Sequence, residues 1–303
     1  MTQQLQAPAV RVALPAQAQL GEGALWNPLD QRLYWVDIEG QLLHIFDPAT
    51  GQGRSLPTGA RIGTVVPTGQ AEEVLVALQT GLHRLNTTTG QLTLLVNPLP
   101  DSSLRFNDGK CDPAGRLWVG TLDMQGHPRR AALYRYSPDG HLQTMLTQVS
   151  ISNGLAWALD QRTMYYVDTP TRTVQAFDYD PATGAITGGR VVIRIPEGHG
   201  YPDGITLDAE GQLWIALWGG GRVVRYNPTT GQLLATIAVP APHTSSCAFG
   251  GPGLQTLFIT SARQDLSPEQ LQEYPLSGNV FAVEPGVAGL PAALFGQASA
   301  ARR

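Results

Sequence analysis

One pattern recurs six times along this chain: a turn, a short apolar strand rich in Leu, Tyr or Trp, a break, a second strand, and a turn ending in Gly. The copies read RLYWVDIEGQLLHIFDPATGQ from Arg32, EVLVALQTGLHRLNTTTGQ from Glu73, GRLWVGTLD from Gly115, RTMYYVDTPTRTVQAFDYDPATGA from Arg162, GQLWIALWGGGRVVRYNPTTGQ from Gly211 and QTLFITSAR from Gln255. Their apolar anchors are Tyr34, Leu75, Trp118, Tyr165, Trp214 and Phe258, separated by 41, 43, 47, 49 and 44 residues. A period near 45 built from strand-like copies makes each copy one four-stranded sheet, and sheets of this kind arranged radially form a propeller. The expected fold is therefore all-β: a six-bladed β-propeller with four antiparallel strands per blade, forming one domain over residues 1–303. No copy carries a GH…WD pair, which excludes a WD-repeat array. The stretch Val10–Leu14 is expected to pair with the last blade and close the ring, because closure removes exposed sheet edges.

Composition agrees with many short strands. The chain holds 34 Gly and 23 Pro, spread evenly, so turns are frequent. The D/N-P-x-T-G strings after Asp47, Asp180 and Asn227 suit hairpins, since Pro fixes φ and Gly accepts positive φ. A net charge of −4 gives no basic surface for nucleic acid or for an anionic membrane. No apolar run approaches the roughly 20 residues of a membrane span. Residues Met1–Leu14 lack a charged segment followed by an apolar core, so no secretory signal is expected and the cytoplasm is the expected location. Two cysteines, Cys111 and Cys247, are too few for a disulfide framework and lack zinc-site spacing. They fall on inner strands of blades on opposite sides of the ring, so two free thiols are expected.

Each anchor strand is preceded by another short strand, expected to line the propeller axis. Counting back 11 or 12 residues from each anchor gives Glu22, Gly63, Asn107, Asn153, Asp203 and Ser246. Equivalent positions in six blades form a ring around the channel. Four members, Glu22, Asn107, Asn153 and Asp203, carry carboxylate or amide oxygens, and each of those four is followed by Gly directly or one residue later. Glycine there would let the backbone turn and approach a ligand closely. Four converging oxygen side chains, two of them carboxylates, suit a hard divalent cation. Each Asn-Gly or Asp-Gly taken singly reads as a hairpin turn; the shared phase of four blades favours a site. Arg105 lies two residues before Asn107, so strand alternation puts both on one face. Its guanidinium is placed to hold a ligand carbonyl or hydroxyl. Alternation turns Asp108 the other way, toward a structural role. Asp123, Gln125 and His127 lie in a segment with the composition of a loop over the channel. His199, Tyr201, Asp168 and Arg263 are further wall candidates. No G-x-S-x-G element or phosphate loop is present.

The strings LGEGALWNP, RFNDGKCDPAGRLWVGT, SNGLAW, YYVDTPTRTVQAFDYD, PDGITLDAEGQLWIALWGGGRV and HTSSCAFGGPGLQTLFITSAR run in one order from about Leu20 to Val287. Together they resemble the family of senescence-marker proteins and gluconolactonases, also called regucalcin-like. The resemblance implies a six-bladed propeller that hydrolyses sugar lactones with one bound divalent metal. It implies Glu22, Asn153 and Asp203 as the metal ligands and Arg105 and Asn107 as substrate contacts. Asp123 and Gln125 lie in the loop that would touch sugar hydroxyls. Some animal relatives carry Glu where this chain has Gln125, and bacterial relatives vary here, so the resemblance leaves the substrate preference open. Members differ in preferred metal; Ca2+ leads the expectation, with Zn2+, Mn2+, Mg2+ and Fe2+ as alternatives.

The expected chemistry is hydrolysis of an aldonolactone, a small-molecule partner. The metal polarises the carbonyl and activates water, Arg105 stabilises the oxyanion, and Asp203 is the general base. Two other functions fit a propeller: a non-enzymatic scaffold binding calcium or a protein partner, and a hydrolase of other esters or organophosphates. The polar ring argues against the scaffold, which needs no carboxylates converging at one depth. Oligomeric state is not legible.

Overall fold

A computed structural model describes residues 9–298. They form six four-stranded antiparallel sheets, each ordered from an inner strand outward. The inner strands are Gly21–Asn27, Ile62–Pro67, Leu104–Cys111, Ser152–Trp157, Tyr201–Leu207 and Thr244–Gly250. All six anchors fall on the second strand of their blade, as the repeat predicts: Arg32–Asp37, Glu73–Leu78, Leu117–Asp123, Thr163–Asp168, Leu213–Trp218 and Thr256–Ser261. The N-terminal stretch closes the ring. Arg11–Leu14 pairs antiparallel with Val280–Val283 as the outermost strand of blade six. The reading of Met1–Leu14 as no leader falls, over residues 1–8, outside the described residues.

Burial follows radius. The inner and second strands are buried almost throughout, so their sequences run apolar, whereas the outer strand Gln52–Pro57 of blade one is nearly all exposed. Trp35, Trp118 and Trp214 lie in the second strands of blades one, three and five, each at most 1% exposed. Trp118 and Trp214 donate their indole N–H to Asp112 and Asp208 at 2.9 Å. The D-P-x-T-G strings close hairpins as expected: Asp47 Oδ1 accepts from Ala49 N at 2.9 Å, and Gly51 takes φ 72°.

The pairing register shifts at the same depth in every blade. The breaks fall between Glu22 and Leu25, Ile62 and Thr64, Phe106 and Gly109, Asn153 and Leu155, Pro202 and Ile205, and Thr244 and Cys247. A bulge places one more residue on the inner strand than on its neighbour and re-aims the side chains there. Two sequence readings change as a result. Asp108 shares the bulge with Asn107, both opposite the single residue Gly120, so alternation fails at that point. In blade six the anchor Phe258 faces Ala248, ten residues earlier, whereas the interval is eight or nine in the other blades. The longer turn, with its 3-10 segment Pro252–Leu254, moves the ring member from Ser246 to Ser245.

Glycine at the ring also has a use beyond the one expected. A Cβ on Gly63 would lie 2.6 Å from the carbonyl of Phe106, and one on Gly154 would lie 2.6 Å from the carbonyl of Asp203. These glycines let adjacent inner strands touch.

At the opposite end of the channel, the segment after the last strand crosses the face. Gly289 N bonds Leu254 O, Ala209 N bonds Ala288 O, Phe295 N bonds Pro67 O and Gly296 N bonds Gly115 O, at 2.8–2.9 Å. Phe295 stacks on Tyr136 with ring centroids 5.8 Å apart. This strap ties blades five and six to blades two and three.

Candidate active site

The near end of the channel is built from the first half of the inner strands. Glu22, Arg105, Asn107, Asn153 and Asp203 are all buried there, between 4% and 7% exposed. A relay of hydrogen bonds joins three blades. Arg105 Nη1 donates to Asn107 Oδ1 at 2.7 Å; Asn107 Nδ2 donates to Ser152 O at 2.8 Å and to Asn153 Oδ1 at 3.2 Å. Asn153 Nδ2 donates to Thr169 Oγ1 at 2.9 Å, and Thr169 Oγ1 donates to Pro202 O at 3.0 Å, one residue before Asp203. The relay fixes which atom of the Asn153 amide is oxygen. Thr169 is a site residue that the sequence reading missed; it directly follows the wall candidate Asp168.

Three carboxylates share this space with two cations. Burial, followed by the charge of Asp108, pushes Glu22 from 4.5 up to about 8; a bond of 3.1 Å from Gly23 N to Oε2 and the charge of Arg105 work the other way. Asp203 is raised well above the ordinary carboxylate range by burial, then by the charges of Glu22 and Asp108. Asp108 is raised by burial, with Lys110 opposing. Burial pushes Arg105 down to about 10. Lys110, the only lysine in the chain, donates to Ile205 O at 2.7 Å across the ring. Asp108 is thus a channel residue rather than an outward one. Its signal in the sequence was the neighbouring lone lysine, a counter-charge two residues on.

The donor set fits a hard cation. Asp203 Oδ1 is buried and accepts no hydrogen bond among the described residues, an orphaned oxygen that burial makes costly. Beyond burial, the charge of Glu22 raises Asp203, a like-charge repulsion that a counter-charge would relieve.

The loop residues sit differently. Asp123 is buried and engaged: Oδ1 accepts from Gln125 N at 2.7 Å, Oδ2 from Arg130 Nη1 at 2.8 Å, and His127 Nδ1 lies 3.4 Å from Oδ2. It braces the loop. Gln125 is exposed and lines a recess of about 440 Å3 with Ser103, Met124 and Arg130. Asp168 accepts from Ile151 N at 2.9 Å and holds the entry to the inner strand of blade four. Tyr201 is 40% exposed under the Arg172 guanidinium, 3.9 Å from the ring centroid. Cys111 and Cys247 are free and buried on the inner strands of blades three and six, and burial raises both thiols, Cys247 to about 12.

Comparison with known proteins places these features in context. Residues 20–263 match the family described as SMP-30/Gluconolactonase/LRE-like region. A Bacillus subtilis (strain 168) protein named as a candidate sugar lactone lactonase, YvrE, is 41% identical over 88% of this chain and 91% of its own length. Regucalcin of Danio rerio is 39% identical over 93% of this chain and 96% of its own length. The crystal structure of a calcium-binding protein, regucalcin, from Agrobacterium tumefaciens superposes with a TM-score of 0.91 at 30% identity, covering 96% of this chain and 98% of that one.

Proposed function

This chain belongs to the SMP-30/gluconolactonase/LRE-like family, and on that premise we propose that it is a lactonase, acting as one propeller domain, that hydrolyses a sugar lactone of the aldonolactone type to the sugar acid with the help of one divalent cation. The observation that carries this reading is Asp203 Oδ1, a buried oxygen without a partner, beside the buried carboxylate of Glu22. The printed names of the relatives support both halves: one is named for sugar lactones and one for calcium. Glu22, Asn153 and Asp203 would hold the ion. When bound, the cation supplies a Lewis acid for the lactone carbonyl and a counter-charge for the carboxylates. Ca2+ suits the oxygen donors best, with Zn2+, Mn2+, Mg2+ and Fe2+ as the alternatives.

The remaining chemistry belongs to the chain. Among the described residues, Arg105 spends Nη1 on Asn107 and on Phe106 O, which locks its plane and leaves its other donors for the substrate. They meet a carbonyl oxygen that gains negative charge as water adds, so the interaction strengthens toward the transition state. Asp203 takes a proton from the attacking water at a carboxylate oxygen and returns it to the ring oxygen as the C–O bond breaks. Asn107, held by Arg105 and by Ser152 O, fixes the sugar hydroxyls, and the loop braced by Asp123 presents Gln125 to the same ligand.

The test is proton release from a panel of aldonolactones, using metal-stripped protein reconstituted with each cation in turn. Turnover above background with at least one lactone, abolished by chelator, is the expected result. No turnover with any cation would sink the reading.

A further inference from the structure

The near mouth carries an ion pair that the chemistry above does not use. Glu39 stands in the turn after the second strand of blade one, and Arg61 stands directly before the inner strand of blade two. Arg61 Nε donates to both oxygens of Glu39, at 2.9 and 3.0 Å. The carbonyl of Arg61 accepts from Gln79 N at 2.8 Å. Gln79 Nε2 in turn donates to Ser102 O at 3.2 Å, three residues before Arg105. The side chains of Glu39 and Arg61 are 32% and 36% exposed. An ion pair exposed to this degree contributes about 0–1 kcal/mol to stability, so the fold gives little reason for it.

Its place gives a better reason. Two residues along the strand from Arg61 is Gly63. A Cβ there would lie 2.6 Å from Phe106 O and 2.7 Å from Asn107 O, and a Cβ on Gly23 would lie 3.7 Å from Gly63 O. The strand that Arg61 leads into is therefore wedged between the strand of Glu22 and the strand of Arg105 and Asn107. Among the described residues Arg105 hydrogen-bonds to no carboxylate; its Nη1 goes to Phe106 O and Asn107 Oδ1. Burial pushes Arg105 down to about 10, and of the charges that act on it Glu39 comes first, ahead of Glu22, with Arg61 opposing. Both members of the pair thus act on the guanidinium that meets the lactone carbonyl.

Hydrolysis changes the charge at that point. Water adds to the carbonyl carbon and the ring C–O bond breaks. The ring oxygen leaves as a hydroxyl with one proton of the water, and the other proton goes to solvent, since a carboxylic acid is ionised at neutral pH. An uncharged substrate has become an anion beside Arg105. Two free guanidiniums there would hold that anion by charge-assisted hydrogen bonds. Glu39 occupies one of them and sets a negative charge near the other. We propose that the Glu39–Arg61 pair governs product release: Glu39 repels the newly formed aldonate and Arg61 limits that repulsion, so that the mouth admits the uncharged lactone without retaining its acid. This inference rests on the lactonase reading.

The test is inhibition of lactone turnover by D-gluconate in the cation-loaded protein, with D-glucitol as the uncharged control of equal length. Glu39→Gln should lower the gluconate inhibition constant about threefold to tenfold at low ionic strength, and Arg61→Gln should raise it by a similar factor. The double variant, which lacks both charges, should return close to wild type. Glucitol inhibition should stay within about twofold of wild type in all three, because an uncharged ligand does not feel the change in net charge. At about 0.5 M salt, where the screening length is only about 4 Å, the gluconate constants should draw together. A change of the same direction in both single variants is the mark of a purely structural pair and would overturn the proposal. So would a glucitol constant that shifts in step with that of gluconate, or gluconate constants that stay put while turnover persists. Wild-type protein that turns over no lactone would sink the lactonase reading itself, and this inference with it.

Discussion

The two ends of the channel are made from the same six strands and differ in almost everything else. Three residues along from Glu22, Asn153 and Asp203 stand Leu25, Ala156 and Thr206. The near end is crowded with carboxylates, an oriented amide and a guanidinium. The far end is apolar and roofed by the strap, and Lys110 stands between the two ends with Asp108 as its counter-charge. The bulge repeated in all six blades marks the border. On the near side it turns side chains toward the axis at a cost in ladder pairing; on the far side regular pairing resumes and packing dominates. Reactivity and stability are therefore separated along single strands, within about 10 Å of one another at 3.3 Å per residue.

That separation is open to attack from either end. The largest expected effect is at Asp203. Asp203→Asn keeps the shape and removes the base, so turnover should fall on the order of 10^2–10^4-fold. Metal-stripped protein should at the same time melt at a higher temperature, because a buried unpaired carboxylate has gone. A lower melting temperature would mean that this carboxylate stabilises the fold. Next comes Arg105→Ala, which should cost about 2–4 kcal/mol in kcat/KM, the loss typical of one oxyanion donor, and leave metal stoichiometry intact. Unchanged kinetics would place the guanidinium outside the substrate site. At the far end, Phe295→Ala removes a buried ring stacked on Tyr136 and should destabilise by about 3 kcal/mol, read by denaturant titration, while kcat stays at the wild-type value. A drop in kcat at full folding would break the division between the two ends.

A smaller effect concerns pH. Glu22 in the folded protein holds its proton up to about 8, whereas in the unfolded chain it releases it near 4.5. Between these values the folded state binds more protons, so its contribution to stability is full below about 4.5 and is lost as pH rises through 8. Asp203 and Asp108 act in the same direction. Metal-stripped protein should melt several degrees lower at pH 9 than at pH 5 by the usual conversion, and an added cation should stabilise more at the higher pH. A flat profile would mean that the near-end carboxylates are already compensated. The smallest expectation is at the thiols: reduction should change neither mass nor melting temperature, since both are free and lie in different blades.

The sequence was most readable where one physical rule acts in every blade. The anchors repeat because each second strand must be buried on both faces, and Glu22, Asn107, Asn153 and Asp203 share a phase because their strands share a register. Reading stopped where a rule has a local exception. Asp108 was placed outward by alternation, which holds for a regular strand and fails inside a bulge. Ser246 was placed by a count that a longer turn offsets by one. Asp123 has the composition of a ligand contact, but its oxygens are taken up by Gln125, Arg130 and His127, pairings set by how a loop folds back on itself. The strap has no periodicity at all, since its conformation comes from backbone bonds to four separate blades.

The closure of the ring by Arg11–Leu14 also governs when the molecule can exist. Among the described residues, the first strand in the chain is the outer edge of a sheet whose other three strands are the last, with Arg11 paired to Ala282. Blades one to five can gather during synthesis, but the circle stays open until Val280–Val283 has emerged. Contacts so distant in sequence form slowly, because the intervening chain must first give up its freedom. A protein truncated before Val280 would not be a propeller with a weaker last blade; it would be an open arc with two bare sheet edges, a substrate for proteases and for other nascent chains.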